Sequence, residues 1–390
     1  MRLLILLAVL IGISQPAQAE DAASFKANLQ QGLVPWSASL PGEGRLSYAE
    51  PIEVRANPSG GFVVKFSELA WLTPLPGGNW ATIDFGPTEL LMVPGREGWA
   101  VSGHVSTLVR FVADGQVKAA AKITRNRIDG IWNPQRGAFT KLKLDLFEVG
   151  VEFASGDILT LASLKLNATS PSESFQGFVE MADVHGYRAK DRTQIVIEQG
   201  RLDLGQKPLA GNGRLSFSWR HQSPPPRDPG APQEINPVRV NLKGSLAPFD
   251  WRSVLKEIGP AAADGSNPLG KALWSRVQPH LHRQNAKLSI SEAQAQSVHL
   301  TAKIKGDGVF PPSAPPTGSF LGKLNGVTER LKSLSSGGSA GLLSSMAVLG
   351  VLGATGQPDG KGGLDYKVDI APDGQILLNG KKAGGLLPRL

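Results

Sequence analysis

The chain of 390 residues contains no cysteine. This absence excludes disulfide bonds, thiolate metal sites, a cysteine nucleophile and acylation of a lipoprotein-type cysteine. It does not prevent a stable fold, because a chain of this length can bury a large core without covalent cross-links. Tyrosine is also scarce, with three copies against eight tryptophans. The ratio of tryptophan to tyrosine is therefore skewed.

Long apolar runs are almost absent as well, and the clearest one stands at the N-terminus. Met1-Arg2 precedes the apolar stretch Leu3–Ile13, and Ala17-Gln18-Ala19 follows it. The stretch is shorter than the roughly 20 residues that a membrane-spanning helix needs. This order predicts a signal peptide over residues 1–19 and export to the bacterial periplasm, with no transmembrane segment after cleavage. The alternative is an uncleaved N-terminal anchor.

From about residue 44 onward, apolar residues recur with a period of two. Leu142, Leu144 and Leu146 alternate with charged residues, and Phe217 and Trp219 alternate with polar ones. Such runs are typical of antiparallel strands with one wetted face. The sequence therefore predicts a mainly β fold of the β-rich α+β type. We expect long curved antiparallel sheets with a few packing helices, mostly in the C-terminal part.

Four segments have helical patterns. The first spans Glu20–Val34 and puts Phe25 and Leu29 on one face. The second begins at Leu269 and is predicted to end or kink at Pro279. The third spans residues 320–334, where apolar residues are spaced by four, three, four and three. The fourth, residues 342–354, is apolar on nearly all sides and predicts a buried helix.

A proline-rich stretch suggests the domain organisation. Six prolines lie between Gln222 and Pro237. Such a run is excluded from a sheet interior and favours an extended linker. We therefore predict an N-terminal β-rich domain over residues 20–221, a linker over 222–237, and a C-terminal β domain with amphipathic helices over 238–390.

No motif for catalysis or metal binding is complete. Residues 337–341 match the letters of a nucleophile elbow, but a helical pattern precedes them and no histidine follows His299. His280 and His282 have no third ligand nearby. The aspartates around the glycine-rich loop at 359–369 lack the spacing of a calcium loop. We expect no enzyme activity, no catalytic or metal-ligating residues and no cofactor.

The basic residues and the tryptophans of the N-terminal half each allow two interpretations, one as part of a binding site and one as ordinary structure. Basic residues between Lys118 and Lys143 could bind lipid head groups or phosphates, or form an ordinary solvated strand face. Nucleic acid is not an expected partner, because the protein is predicted to leave the cytoplasm. Tryptophans in the N-terminal half could line a groove for an apolar ligand or pack in the core. The candidate groove-lining residues are Trp71, Trp80, Trp99 and Trp132.

The C-terminal part resembles a known family. Residues 288–308 read LSISEAQAQSVHLTAKIKGDG, residues 318–334 read GSFLGKLNGVTERLKSL, and residues 362–388 read GGLDYKVDIAPDGQILLNGKKAGGLLP. This order resembles the ending of an uncharacterised secreted proteobacterial family, domain of unknown function 2125. The resemblance implies a periplasmic location and transfers no catalytic residue.

Three functional hypotheses follow from these features. The first is a non-enzymatic periplasmic envelope protein that binds or carries a lipid or other amphiphile in an apolar groove of the sheet. The second is a structural or interaction protein of the cell envelope without a small-molecule ligand, which contacts protein partners through sheet edges. The third is a hydrolase whose site residues are scattered along the chain.

Overall fold

A computed structural model describes residues 21–37, 44–75, 79–133, 138–170, 174–190, 192, 194–208, 213–224, 238–250, 269–328, 350 and 353–382. The predicted signal peptide and the nucleophile-elbow motif lie outside these residues. Most of the predicted linker and most of the predicted helix over 342–354 also lie outside them.

The described residues form two longer helices and a series of strands. The helices are α1 (Ala22–Ser37) and α2 (Leu269–Arg283). The first strands are β1 Arg45–Tyr48, β2 Glu53–Ala56, β3 Phe62–Phe66, β4 Leu69–Pro74, β5 Trp80–Asp84, β6 Thr88–Gly95, β7 Gly98–His104, β8 Leu108–Ala113, β9 Gln116–Asn133, β10 Ala138–Phe153, β11 Ile158–Thr169 and β12 Phe175–Tyr187. The others are β13 Gln194–Lys207, β14 Gly213–Gln222, β15 Arg239–Phe249, β16 Lys287–Gln296, β17 Thr301–Val309, β18 Thr317–Asn325, β19 Gln357–Pro358, β20 Gly363–Ile370, β21 Ile376–Leu378 and β22 Lys381–Lys382.

The paired strands are antiparallel throughout the described residues. The predicted mainly β class is therefore confirmed. The chain divides into two compact units. Unit 1 comprises residues 1–196 and 251–278, and unit 2 comprises residues 197–250 and 279–390.

These units differ from the predicted domain bounds of 20–221 and 238–390. The proline-rich stretch joins β14 to β15, and both strands belong to unit 2. The two strands pair directly, with Trp219 opposite Leu242. Proline composition marks a segment that cannot join a sheet interior, but it does not tell whether the flanking strands part or pair.

Strand β9 organises unit 1, because it pairs along both of its edges. One edge pairs with β10, which continues to β11 and β12. The other edge pairs with β8 through its N-terminal half and with β7 through its C-terminal half. The β8 branch continues through β5, β4 and β1, and the β7 branch continues through β6, β3 and β2.

The two branches part at a single side chain of β9. The amide oxygen of Asn126 accepts a hydrogen bond of 2.8 Å from the Val105 N–H. The amide nitrogen of Asn126 donates one of 3.0 Å to the Val105 carbonyl. The Asn126 side chain thus supplies the hydrogen-bond partners that the backbone of Val105 does not find in a neighbouring strand.

Helix α1 packs against unit 1, as its apolar pattern predicts. The Asp21 carboxylate caps the helix by accepting a hydrogen bond of 2.7 Å from the Ser24 N–H. Phe25, Leu29 and Leu33 recur at helical spacing and are fully buried. The Phe25 ring stacks on Phe62 of β3, with 4.1 Å between centroids. The predicted N-terminal helix is therefore confirmed.

A left-handed residue shifts the burial pattern of β10 by one position. Leu142, Leu144 and Leu146 recur at every second position and are buried, and Asp145 between the last two is buried as well. Glu148 then has a φ of 53°, and burial resumes at Val149. The register of β10 with β9 and β11 continues without a shift through Glu148, so the residue in left-handed geometry changes the inward-facing set without inserting a residue or breaking the pairing.

Unit 2 is built on an open antiparallel sheet. Its strands follow the order β13, β14, β15, β16, β17, β18, β20, β21 and β22, and β19 also pairs with β20. The predicted C-terminal hairpin around Asp373-Gly374 is formed by β20 and β21.

The predicted helix over residues 320–334 is wrong at its beginning. Phe320 and Leu324 lie on β18, between β17 and β20. The spacing of four that suggested a helix also fits a strand, because both residues then project from one face. Gly318 and Gly322 disfavour a helix, and pairing along both edges favours the strand. Residues 329–334 of this predicted helix lie outside the described part.

Candidate functional site

Two of the four candidate groove tryptophans lie together in the core of unit 1. Trp99 on β7 is opposite Trp132 on β9, so both indoles project from the same face. Their exposed fractions are 3% and 0%. Trp99 contacts Phe25 edge-on at 4.9 Å, and Trp132 contacts Phe139 edge-on at 5.1 Å between centroids. These rings fill a packed interior.

The other two tryptophans project from opposite faces of their sheet. Trp71 on β4 is opposite Leu46 and shares its face. Trp80 is opposite Pro74, three positions along β4 from Trp71, so it projects from the other face. There the Arg45 guanidinium lies 5.0 Å from the centroid of the Trp80 ring. The four tryptophans therefore do not share one groove.

Four of the described basic residues between Lys118 and Lys143 have carboxylate partners. Lys118 instead contacts the Gln116 amide oxygen, and the Arg125 guanidinium lies over the Phe147 ring. The Lys122 Nζ lies 3.2 Å from Glu152 Oε1 on the neighbouring strand. The Arg127 Nε lies 2.7 Å from Asp129 Oδ2, and this hydrogen bond raises the pKa of Arg127. The arrangement matches a solvated strand face with paired charges better than an anion site.

Helix α2 continues past Pro279 to Arg283, so His280 and His282 lie on its last turns. Helical residues two positions apart project in directions about 200° apart. The His282 Nδ1 lies 2.5 Å from the Pro311 carbonyl oxygen, and the His280 Nδ1 lies 2.6 Å from Arg283 Nη2. The two imidazoles therefore contact different groups.

The carboxylate of Asp359 organises the loop that enters β20. Its Oδ1 accepts hydrogen bonds of 2.8 Å from the Lys361 and Gly363 N–H groups, and Oδ2 pairs with Lys323. The Lys323 ammonium and then the two N–H groups lower the pKa of Asp359 to about 2. Internal donors thus surround this carboxylate. Across the described ranges, no three histidine or acidic residues are placed to hold a metal.

The sheet of unit 2 has one apolar face, which is built from cross-strand rows. Register partners on successive strands project from the same side of a sheet, so each row lines one face. Two rows run from β13 to β20 at the centre. They are Leu202, Trp219, Leu242, Ala293, Ile304, Gly322 and Tyr366, and Leu204, Phe217, Gly244, Ile290, Gly306, Phe320 and Val368. We call this surface the apolar face.

The opposite side of the same strands, the polar face, carries charges and hydroxyls. Its rows include Arg201, Asp203, Arg220, Lys243, Ser245, Ser289, Glu292, Lys303, Lys305, Lys323 and Lys367. The Lys243 Nζ lies 2.9 Å from Glu292 Oε2, and this contact lowers the pKa of Glu292. Each strand is therefore apolar on one side and charged on the other.

Burial of the apolar face changes along the sheet. At β20, Leu364 and Tyr366 are buried in a cluster with Leu300 and Val327. From β13 to β15 the central side chains are only half-buried. Ile304 on β17 is 43% exposed. The face is thus closed at its β20 end and accessible to solvent along much of its remaining length.

Aromatic rings on the apolar face lie over glycines. A Cβ added to Gly244 would approach the Phe217 ring to 2.7 Å, and one added to Gly318 would approach the Phe320 ring to 2.9 Å. Any side chain at these two positions would push the rings outward. Glycine at these two positions therefore allows the Phe217 and Phe320 rings to lie close to the backbone of the sheet.

One polar pair interrupts the apolar face. Trp219 and His221 are two residues apart on β14 and project from the same side. The Trp219 Nε1 donates a hydrogen bond of 2.9 Å to His221 Nδ1. The pKa of His221 is lowered by its burial. The sequence analysis did not predict this pair, because His221 is far from the other histidines in the sequence. Its spacing of two from Trp219 on a predicted strand did indicate that the two side chains share a face.

The alternation of Leu215, Phe217 and Trp219 in the sequence indicated the strand correctly. It gave no sign of which other strands would extend the same face, since register depends on pairing between distant segments. A scan against family models and a search of curated proteins both found no match for this chain. Among the described residues, no helix has the length and apolar character needed to cross a membrane.

Proposed function

We propose that the protein is a non-enzymatic periplasmic binding protein for a lipid or another amphiphile, and that the apolar face of unit 2 is its binding surface. The supporting observation is a continuous apolar surface that remains half-buried or exposed from β13 to β17. Contiguous accessible apolar surfaces above a few hundred Å² are uncommon except at interaction sites. The predicted signal peptide supports the compartment.

The dimensions of the apolar face suit an acyl chain. Neighbouring strands are roughly 4.8 Å apart, so the five accessible strands from β13 to β17 span about 19 Å. The two central rows are flanked by a row through Gly200, His221 and Val240 and by a row through Leu215 and Leu246. These four rows span about 20 Å along the strands, since alternate residues are roughly 6.8 Å apart. This area accommodates an extended chain in either direction.

The energetics are sufficient for binding. Transfer of about ten methylenes from water to an apolar surface supplies roughly 8 kcal/mol. That value corresponds to a micromolar dissociation constant before the costs of ordering the ligand. The charged groups of the opposite face keep such a sheet in solution without covering the apolar side.

Two exposed aliphatic residues on adjacent strands provide a matched test. Ile304 projects from the apolar face, and Leu321 on β18 projects from the polar face between Lys305 and Lys367. Their exposed fractions are 43% and 53%. We expect Ile304→Glu to abolish lipid retention, because it places a charge on the binding surface. Leu321→Glu should retain lipid.

The measurement is native mass spectrometry of the full chain, expressed with its own leader and purified without detergent. An adduct of lipid mass on the unmodified protein and on Leu321→Glu, lost from Ile304→Glu, is the expected result. A bare protein mass that stays unchanged after incubation with envelope lipids would overturn the proposal. Equal loss of the adduct from both variants would exclude the apolar face as the site.

A further inference from the structure

The Trp219–His221 pair fixes which nitrogen of the imidazole carries the proton. An indole N–H only donates hydrogen bonds, so His221 Nδ1 must accept. In the neutral ring, the proton therefore resides on Nε2. The two rings are 5.7 Å apart between centroids and inclined by 52°, so the indole holds the imidazole edge. The pair presents one N–H donor at a defined position.

The Nε2–H group of His221 has no hydrogen-bond acceptor within the described part of the sheet. The register neighbours of His221 are Gly200 on β13 and Val240 on β15, which offer no acceptor side chain. No protein group in the described ranges accepts a hydrogen bond from His221 Nε2. The nearest acidic side chain along β13 is Glu198, which accepts a hydrogen bond of 3.1 Å from Gln222. Within the part of the chain that the structure describes, the Nε2–H group is therefore left to a bound molecule.

The position of His221 is at the margin of the apolar face. Its row, with Gly200 and Val240, is the outermost of the four, and β14 ends one residue later at Gln222. The row that contains Trp219 and Leu242 lies directly inside it. An amphiphile with its tail on the central rows would bring its head group to this margin.

We infer that His221 Nε2–H binds the head group of the amphiphile, and that the ligand is an acyl lipid whose carboxylate or ester oxygen accepts this hydrogen bond. The inference rests on the proposed function and adds the ligand class and a residue that determines specificity. Trp219 is the positioning residue, because it holds the tautomer that donates. A head group with donors alone would leave the Nε2–H without a partner.

Three probes of equal chain length separate the possibilities. Dodecanoate presents a charged acceptor, monododecanoylglycerol a neutral ester acceptor, and dodecylammonium donors alone. His221→Phe keeps the ring and removes the N–H group. His185→Phe, at an exposed position on β12 of unit 1, is the matched control. Affinities are measured by titration calorimetry on the full chain below the micellar concentration of each probe.

We expect His221→Phe to weaken dodecanoate about tenfold, as loss of a hydrogen bond to a charged group does. It should weaken the ester severalfold and leave dodecylammonium within twofold. A loss confined to one acceptor probe identifies whether the site takes the free acid or the ester. Equal weakening of all three probes, or no change in any, would overturn the inference. Absence of binding of every probe to the unmodified protein would instead overturn the proposed function.

A spectroscopic measurement tests the positioning role separately. The nitrogen NMR shifts of His221 should identify Nε2 as protonated and Nδ1 as the acceptor in the unmodified protein. Trp219→Phe should produce a mixture of tautomers, because the indole donor is gone. A proton on Nδ1 in the unmodified protein would contradict the assignment.

Discussion

At the residue scale, the carboxylate of Asp359 stabilises the loop that enters β20. Asp359 accepts two backbone hydrogen bonds and pairs with Lys323. The loop from Asp359 to Gly363 would otherwise leave these N–H groups without partners. Its aspartate resembles a cation ligand in sequence, but its structure resembles that of a turn cap.

The pKa of Asp359 predicts a pH dependence of stability. Since its pKa of about 2 in the folded protein lies below the ordinary value of 3.8 for an aspartate, the charged form favours the folded state. The stabilisation is present above the unfolded pKa and is lost as pH falls from about 4 to about 2. Asp359→Asn should therefore lower the melting temperature at pH 6, and the difference from the unmodified protein should shrink across that interval.

Melting curves by circular dichroism at half-unit pH steps measure this effect. Asp373→Asn is the control, since Asp373 also accepts a backbone hydrogen bond within a loop but has no lysine partner in the described residues. A difference for Asp359→Asn that stays constant between pH 6 and pH 2.5 would contradict the prediction.

At the element scale, residues with positive φ mark the point where the set of buried side chains changes along the long strands of unit 1. Glu148 on β10 and Asp183 on β12 both have φ near 50°. Beyond this point, Ile123, Val149 and Leu161 form a buried row across three strands. The change in the buried set is therefore shared by neighbouring strands.

Substitution of Glu148 tests whether the left-handed residue is required. Glu148→Val should lower the free energy of unfolding by roughly 1–2 kcal/mol, because a β-branched residue resists positive φ. Glu148→Gly should be close to neutral, since glycine adopts this φ freely. Urea denaturation measures both. Glu152→Val on the same strand is the control, because its ion pair with Lys122 is exposed and contributes little.

If Glu148→Val proves as mild as Glu152→Val, the strand tolerates the change without the left-handed geometry. In that case the shift in burial would arise from packing of Val149 and Leu161 alone.

At the scale of the whole molecule, the pairing of β14 with β15 has a consequence for the proline-rich stretch. Nine pairs of residues bring these strands together across the junction, from Gln222 and Arg239 to Gly213 and Phe249. Cleavage between them removes one covalent connection but none of these contacts. Each unit also contains residues from both sides of the cut.

A protease site inserted within residues 225–237 tests this arrangement. We expect the cleaved protein to elute as one particle in size-exclusion chromatography, because the pairing of β14 with β15 remains after cleavage. Separation of the two fragments under native conditions would show that residues 222–237 connect independent domains, as the composition suggested. The uncut insertion protein is the control for effects of the inserted site.

The sequence predicted individual elements well where the pattern is local. The spacing of Phe25 and Leu29 predicted α1, since a helix face is defined within one segment. Alternation along Leu215, Phe217 and Trp219 predicted β14 in the same way. The pattern failed at Phe320, where a spacing of four fits one face of either a helix or a strand. It also grouped four tryptophans that the structure separates between a core and two faces.

The sequence by itself determined that each strand would carry an apolar and a polar side, because side chains alternate along an extended backbone. Only the tertiary structure decided which strands align to join Trp219, Ile304 and Tyr366 in one row, and it thereby created the apolar face. The physical reason is that strands pair through backbone groups that are chemically alike at every residue. Their register is therefore selected by the packing of the whole sheet rather than by any one segment.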